Sequence, residues 1–168
     1  MKRNFADWPC SVARATQLLG DHWVPLIMRD AVQGVRRFDD FQRSLGVARN
    51  ILSDRLDRLV EGGLLERKSY QDRPPRSEYV LTEMGRDLFP VLASLAAWGD
   101  RWLDGGSGAP VALHDETRGH DMRASVVCAE CGEPIRLADV EFRVGPGYPD
   151  EVDAHYDLRP RLAPSPQK

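Results

Sequence analysis

Residues 36–82 read RRFDDFQRSLGVARNILSDRLDRLVEGGLLERKSYQDRPPRSEYVLT, and the spacing of apolar side chains within them decides the fold. Phe38, Phe41, Gln42 and Leu45 recur at helical spacing, and Asp39 and Asp40 suit the positive end of that helix's dipole. Gly46-Val47 makes a tight turn. A second helix is predicted from Ala48 to Glu61, with Leu52, Leu56, Leu59 and Val60 as its buried stripe and Gly62-Gly63 as its stop. Beyond it the apolar period drops from about 3.6 to about 2 residues. Leu65, Arg67 and Ser69 alternate with Leu64, Glu66 and Lys68 up to Tyr70. Residues 71–76, with Pro74 and Pro75, are predicted as a turn, and Glu78, Val80 and Thr82 then alternate with Tyr79 and Leu81. Two helices with a short glycine turn, followed at once by a β-hairpin, form a helix-turn-helix with a wing.

Working outward, Cys10–Leu19 and about His22–Val32 are predicted helices. The first has Val12, Ala15, Thr16 and Leu19 on one side; the second has Trp23, Leu26, Ile27 and Ala31. Pro25 falls in a first turn, where a missing N–H costs little. After the hairpin, Thr82 is expected to cap one long helix from Glu83 to about Leu103, kinked or relaxed at Pro90. The fold class is mainly α with a small β-hairpin wing, plus a small β-containing C-terminal extension. The expected organisation is a winged helix-turn-helix and dimerisation domain over 1–104, a flexible Gly-rich linker over 105–123, a small C-x-x-C element over 124–145 and a Pro-rich tail over 146–168.

Composition is that of an ordinary soluble protein, with 29% charged and 42% apolar residues. No apolar run approaches the roughly 20 residues that span a bilayer, so no membrane partner is expected. The polar start, Met1-Lys2-Arg3-Asn4, is unlike a signal peptide, and the expected location is cytoplasmic. The net charge of −3 argues against nucleic-acid binding until its distribution is considered. Residues 36–76 hold ten basic and seven acidic residues; residues 105–168 hold seven basic and eleven acidic ones. A locally positive region can still steer a protein onto phosphates.

On a helical wheel Asn50 and Asp54 lie about 160° and 200° from Leu52, with Arg49 and Ser53 flanking them toward the helix start. Arg pairs with guanine and Asn with adenine, and Asp can accept from cytosine. Recognition helices use their first turns to reach base edges. Arg49, Asn50 and Ser53 are therefore the expected base readers. Asp54 is a fourth candidate, which could instead orient Arg58 or Arg49, and Arg55 sits at the core edge as a packing or ion-pair residue. Arg36, Arg37, Lys68, Arg73 and Arg76 are the expected phosphate contacts, the last three on the wing loop. Taken singly, each could equally be a solvated surface charge.

These residues carry a resemblance. Residues 10–98 resemble the HxlR-type winged helix-turn-helix regulators, relatives of the MarR group. The matching pieces are Cys10, Gly20-Asp21-His22-Trp23 with Leu26-Ile27, and Gly34-Val35-Arg36-Arg37-Phe38 with Phe41. They continue through Ile51-Leu52-Ser53, Arg55-Leu56, Leu59, Gly63-Leu64-Leu65-Glu66-Arg67, Tyr70 and Pro74-Pro75-Arg76-Ser77-Glu78-Tyr79. They end with Leu81-Thr82-Glu83-Met84-Gly85 and Leu88 through Trp98. His22 departs from the Lys or Arg usual in the family before the tryptophan, and the segment after 105 lies outside the pattern. The resemblance implies a dimeric regulator of transcription on double-stranded DNA, often responsive to electrophiles or oxidants. It also implies that Cys10, at a helix start where thiolates are stabilised, is a redox candidate; a small packed thiol is the plain alternative.

Met84, Leu88, Val91, Leu95, Trp98 and Trp102 form an apolar seam, expected with the first helix to make a homodimer interface and so to present a pseudo-palindromic operator to two recognition helices. The alternative is a helix folded onto its own domain. Cys128-Ala129-Glu130-Cys131-Gly132 looks like one zinc knuckle. Zinc at Cys128 and Cys131 would need four ligands, and His114, His120 and His155 fit no familiar spacing. A knuckle or plain hairpin that folds without metal is the leading reading; a site shared by two subunits and a dithiol that oxidises, for which no βαβ pattern gives support, are the alternatives, and no cofactor is expected. No catalytic Ser/His/Asp set, phosphate-cradling loop or paired carboxylate site is present, so an enzyme is not expected. The expected function is an operator-binding regulator, acting as a repressor; a winged-helix adaptor for protein contacts is the competing class. The sequence names no small-molecule effector.

Overall fold

A computed structural model describes residues 4–73 and 75–162; Pro74 and residues 163–168 of the expected tail lie outside the described residues. The element order is α1 (Ser11–Leu19), α2 (Trp23–Val32), α3 (Phe38–Leu45), α4 (Arg49–Glu61), β1 (Leu65–Asp72), β2 (Pro75–Leu81), α5 (Glu83–Asp87), α6 (Phe89–Trp102), β3 (Leu113–Asp115) and β4 (His120–Met122). The chain divides into two compact units. One runs from Asp21 to Val126; the other combines the segment before Asp21 with the segment from Val127 onward.

In the larger unit the core is built from Val24, Ile27 and Met28 of α2, Phe41 of α3, Leu52, Leu56 and Leu59 of α4, and Leu64, Leu65 and Tyr79 at the base of the hairpin. The rings of Phe41 and Tyr79 meet edge to face, 6.5 Å between centroids, and so bind α3 to the wing. The buried face of α2 differs from the expected stripe. Val24, Ile27, Met28 and Ala31 are inside, while Leu26 is exposed and Trp23 half-buried. Because α2 is packed by α3, α4, β2 and α6, more than one of its sides is covered. Asp30 is buried with them; Oδ1 accepts from Arg29 Nη2 at 2.6 Å, and Oδ2 has no partner among the described residues.

β1 and β2 pair antiparallel from Leu65 opposite Leu81 to Asp72 opposite Pro75. The strands therefore run farther than expected, and the turn is shorter than 71–76. Pro75 opens β2, a position where a missing N–H is tolerated. The register shifts between Ser69 and Gln71, so Tyr70 bulges from the ladder. Thr82 caps the next helix as expected: Gly85 N–H donates to Thr82 Oγ1 at 3.0 Å. A Cβ at Gly85 would stand 2.1 Å from the Leu64 carbonyl oxygen, so only glycine lets α5 approach the hairpin this closely.

The single long helix expected after Thr82 is two helices. α5 ends at Asp87, Leu88 links, and α6 begins at Phe89 with Pro90 in its first turn. Proline lacks the N–H that would continue the helix and crowds the preceding turn, so the break falls just before it. The stretch 105–123, expected as a linker, holds the β3–β4 hairpin, where Leu113 pairs with Met122 and His114 Nδ1 lies 2.8 Å from Asp121 Oδ1.

In the smaller unit, Phe5 N–H donates to Gln17 Oε1 at 3.0 Å, laying the N-terminal arm along α1. The Trp8 ring packs at a tilt against that of Tyr156, 4.5 Å between centroids. Tyr148 Oη donates to Asp157 and accepts from the Leu158 N–H. A bridge between Val127 and Pro134 closes the turn that carries both C-x-x-C thiols.

Candidate nucleic-acid interface

The helix-turn-helix is set by Gly46. Its φ of 62° is the left-handed conformation that ends α3, with its N–H donating to the Gln42 carbonyl at 2.9 Å. Val47 is buried beneath the turn, and the extended Ala48 starts α4. Alanine supplies no side-chain cap, and no acidic residue stands in the first turn of α4. The free N–H groups at that end, with the positive pole of the helix dipole, suit an anion.

Three fully buried leucines, Leu52, Leu56 and Leu59, fix the rotation of α4. Arg49, Asn50 and Asp54 are consequently exposed and Ser53 is half-buried. Asn50 has no side-chain partner among the described residues. Arg49 leans back over α3: its guanidinium lies 4.6 Å from the Phe38 ring centroid, and Nη1 is 3.4 Å from Asp39 Oδ1. Ser53 Oγ donates to Asp57 at 3.5 Å. Asp54 pairs with its neighbour Arg55. Arg55 also binds Asp21 Oδ2 at 2.8 Å across the helix seam, as a core-edge residue should.

The wing carries further basic residues. Arg73 is exposed at the tip and Arg76 is exposed in β2 opposite Gln71, a strand position and not the loop expected for it. Lys68 also sits in a strand, its Nζ 2.7 Å from Glu66. Arg37 is held at the base of the wing: Nε donates to Glu78 at 3.2 Å and the guanidinium lies 4.9 Å from the Tyr70 centroid. Arg36 is exposed, and its carbonyl accepts the Tyr79 N–H at 2.8 Å. Among the described residues Arg36, Arg73 and Arg76 have no carboxylate partner. The pairing carboxylates Asp21, Asp39 and Glu78 were missed in the sequence. Only Arg55's place at the core edge hinted at one of them.

Cys10 takes the N-cap position of α1, with φ −133° and ψ 114°, and is half-buried. It borders a cleft of about 440 Å³ with Phe5, Trp8, Tyr156 and Arg161. Cys128 and Cys131 share one turn. Among the described residues no group of three or more His, Cys, Asp or Glu could hold a metal ion, and no helix is long and apolar enough to cross a membrane.

Helices α2 to α4, the two-stranded wing and the uncapped start of α4 define a winged helix-turn-helix DNA-binding domain. Residues 18–107 match the family model described as HxlR-like helix-turn-helix. The chain is 45% identical over 138 residues to the uncharacterized HTH-type transcriptional regulator Rv3095 of Mycobacterium tuberculosis H37Rv, across 82% of this chain and 87% of that one. The crystal structure of PA1607, a candidate transcription factor, superposes with a TM-score of 0.72 at 36% identity, covering 84% of this chain and 97% of that one. The redox regulator HypR in its reduced form superposes with a TM-score of 0.52 at 29% identity, covering 55% and 92%. The protein belongs to the HxlR-like helix-turn-helix family and is a transcriptional regulator.

The Asp21–Arg55 pair yields a test. Burial pushes the Asp21 carboxyl up, but the Arg55 bond, the Trp23 N–H and the nearby charges of Arg55 and His22 outweigh it. Its pKa lies below the usual carboxylate value. A depressed pKa means the pair stabilises fully above the unfolded-state value, about 3.9, and that stabilisation is lost as pH falls through the folded value. Asp21→Asn is expected to cost about 2 kcal/mol at pH 7. In urea titrations the gap from the parent should stay constant down to about pH 5 and close in stronger acid. A gap independent of pH would show that the ionised pair is not its source.

Proposed function

We propose that this regulator binds a pseudo-palindromic operator as a homodimer and represses transcription, reading bases from the start of α4 and phosphates through the wing. The observation that carries this reading is the seating of α4. Its leucines are fully buried while Arg49 and Asn50 stand exposed at an uncapped end, and Arg73 and Arg76, without a carboxylate partner among the described residues, are exposed on the wing. Asn50 and Ser53 then meet base edges in the major groove, and Arg49 reaches them by leaving Asp39. Asp54, already engaged by Arg55, positions that arginine and does not read a base. Arg36, Arg37, Lys68, Arg73 and Arg76 touch the backbone. The domain organisation follows the same division of labour: binding and dimerisation over 1–104, a connecting segment over 105–123, the C-x-x-C element over 124–145 and the tail beyond. The protein works in the cytoplasm and is not an enzyme.

Binding to DNA upstream of its own or the adjacent gene tests this. Operator affinity should exceed random-DNA affinity by roughly a thousandfold and fall steeply with salt. Asn50→Ala should cost about 1–3 kcal/mol on the operator and leave random-DNA binding unchanged. Arg73→Ala should weaken both and lower the log–log salt slope by about 1. Equal affinity for both DNAs would favour a protein-contact adaptor.

The dimer rests on α6. None of its residues is buried, and Val91, Leu95, Trp98 and Trp102 are each more than half exposed, as is Met84 before it. A monomer seldom leaves so large an apolar surface in water. Light scattering after size exclusion should give twice the chain mass, and Trp98→Glu should shift the protein toward monomer. A monomeric parent at micromolar concentration would overturn both dimer and palindrome.

Cys10 is the proposed oxidant- or electrophile-sensing thiol, supported by its N-cap position, its partial exposure and the structural likeness to HypR. An oxidant should release the parent from its operator and leave Cys10→Ser bound. Equal release of the two would remove Cys10 from this role.

A further inference from the structure

The C-x-x-C turn has no part in the interface above, yet its geometry is specific. Cys128 N–H donates to the Glu133 carbonyl and Gly132 N–H to the Cys128 carbonyl, each at 2.8 Å. Gly132 takes φ 75°, a left-handed conformation that glycine adopts without strain and that reverses the chain directly after Cys131. The cysteines are thereby held 3.7 Å apart, with Cys131 exposed and Cys128 half-buried. They are not equivalent. The backbone N–H groups of Cys131 and Glu130, and the Cys131 thiol, all donate to Cys128 Sγ and hold its pKa below the usual thiol value. Cys131 stands exposed to solvent. A closed zinc shell needs four ligands, and no third His, Cys, Asp or Glu joins these two among the described residues.

We propose that Cys128 and Cys131 are a redox-active dithiol that low-molecular-weight disulfides convert to an intramolecular disulfide, with Cys128 as the attacking group and Cys131 as the resolving one. The Cys128 thiolate attacks one sulfur of the small disulfide. A Cys128–sulfur bond forms, the small disulfide's own S–S bond breaks, and its second half leaves as a thiolate that takes a proton from water. Cys131 then gives its proton to solvent and attacks Cys128 Sγ, expelling the remaining small thiolate. Two protein thiols are oxidised by two electrons, and one disulfide is reduced to two thiols. The turn permits closure because its ends are already joined through the Gly132–Cys128 bond and the Val127–Pro134 bridge. The reaction is separate from operator binding and from Cys10, so it can fail while both of those readings stand.

The test treats the full-length reduced protein with oxidised glutathione and follows intact mass and peptide maps. The parent should lose two hydrogen masses with no retained adduct, and the new bond should map to Cys128–Cys131. Cys131→Ser should trap a mixed disulfide on Cys128 at close to the parent's rate. Cys128→Ser should react at Cys131 at least roughly tenfold more slowly, because the better-stabilised thiolate is gone. A persistent glutathione adduct on the parent, equal rates for the two variants, or a bridge to Cys10 or to a second chain would each overturn the proposal. So would zinc held by both thiols in the purified protein and released only by chelator.

Discussion

The orientation of α4 about its own axis governs everything else in the DNA-binding domain. Leu52, Leu56 and Leu59 have no exposed surface. Burying each stabilises the fold by about 1.5–3 kcal/mol, more than any exposed ion pair on this face can contribute. A turn of one residue position, about 100°, would drive Ser53 and Asp57 into the core, so no competing rotation exists. Arg55 refines the fit: its bond to Asp21 ties the middle of α4 to the start of α2. With that rotation fixed, the outward direction of Asn50 and the open N-terminal end of the helix follow without further instruction.

Where a single apolar face was decisive, the sequence was legible. The stripes of α3 and α4, the glycine turn and the change of period into the hairpin all reappear in the structure. Legibility failed where more than one partner acts on one element. α2 is packed from several sides, so a one-stripe wheel placed Leu26 inside and overlooked Val24 and Met28. The outer wing has no core to alternate against, and the bulge at Tyr70 breaks the period of two; strand pairing therefore ran on to Asp72 without a visible signal. Pro90 was read as a bend because the apolar seam continues across it. The backbone instead stops at Asp87 and restarts at Phe89. The contact of Trp8 with Tyr156 joins residues far apart in sequence that share no periodic pattern, and nothing short of the folded chain could reveal it.

The site residues show the same limit in another form. A helical wheel gives direction but not partner. Arg49 and Asp54 were correctly placed on the outside, yet their carboxylate and guanidinium partners come from α3 and from the next residue along. Exposed charges on a small protein find the nearest opposite charge, and that choice depends on tertiary distances a sequence does not state.

These pairings bear on how a chain of net charge −3 can hold DNA. Arg37, Arg49 and Lys68 each rest against a carboxylate of their own chain, Glu78, Asp39 and Glu66. A phosphate that takes the place of such a carboxylate exchanges one exposed ion pair for another, and the difference is under about 1 kcal/mol. In the proposed complex, net electrostatic attraction then falls to Arg36, Arg73 and Arg76, which have no carboxylate partner among the described residues, and to the uncapped amide end of α4. That complex should displace fewer counterions than the ten basic residues of the segment would suggest, with correspondingly weak sequence-blind binding as the expectation. Glu78 also holds Arg37 against Tyr70, limiting the side-chain freedom that this arginine loses on docking. In the proposed complex the acidic partners lower general affinity for phosphate, which shifts the balance of binding energy toward base contacts.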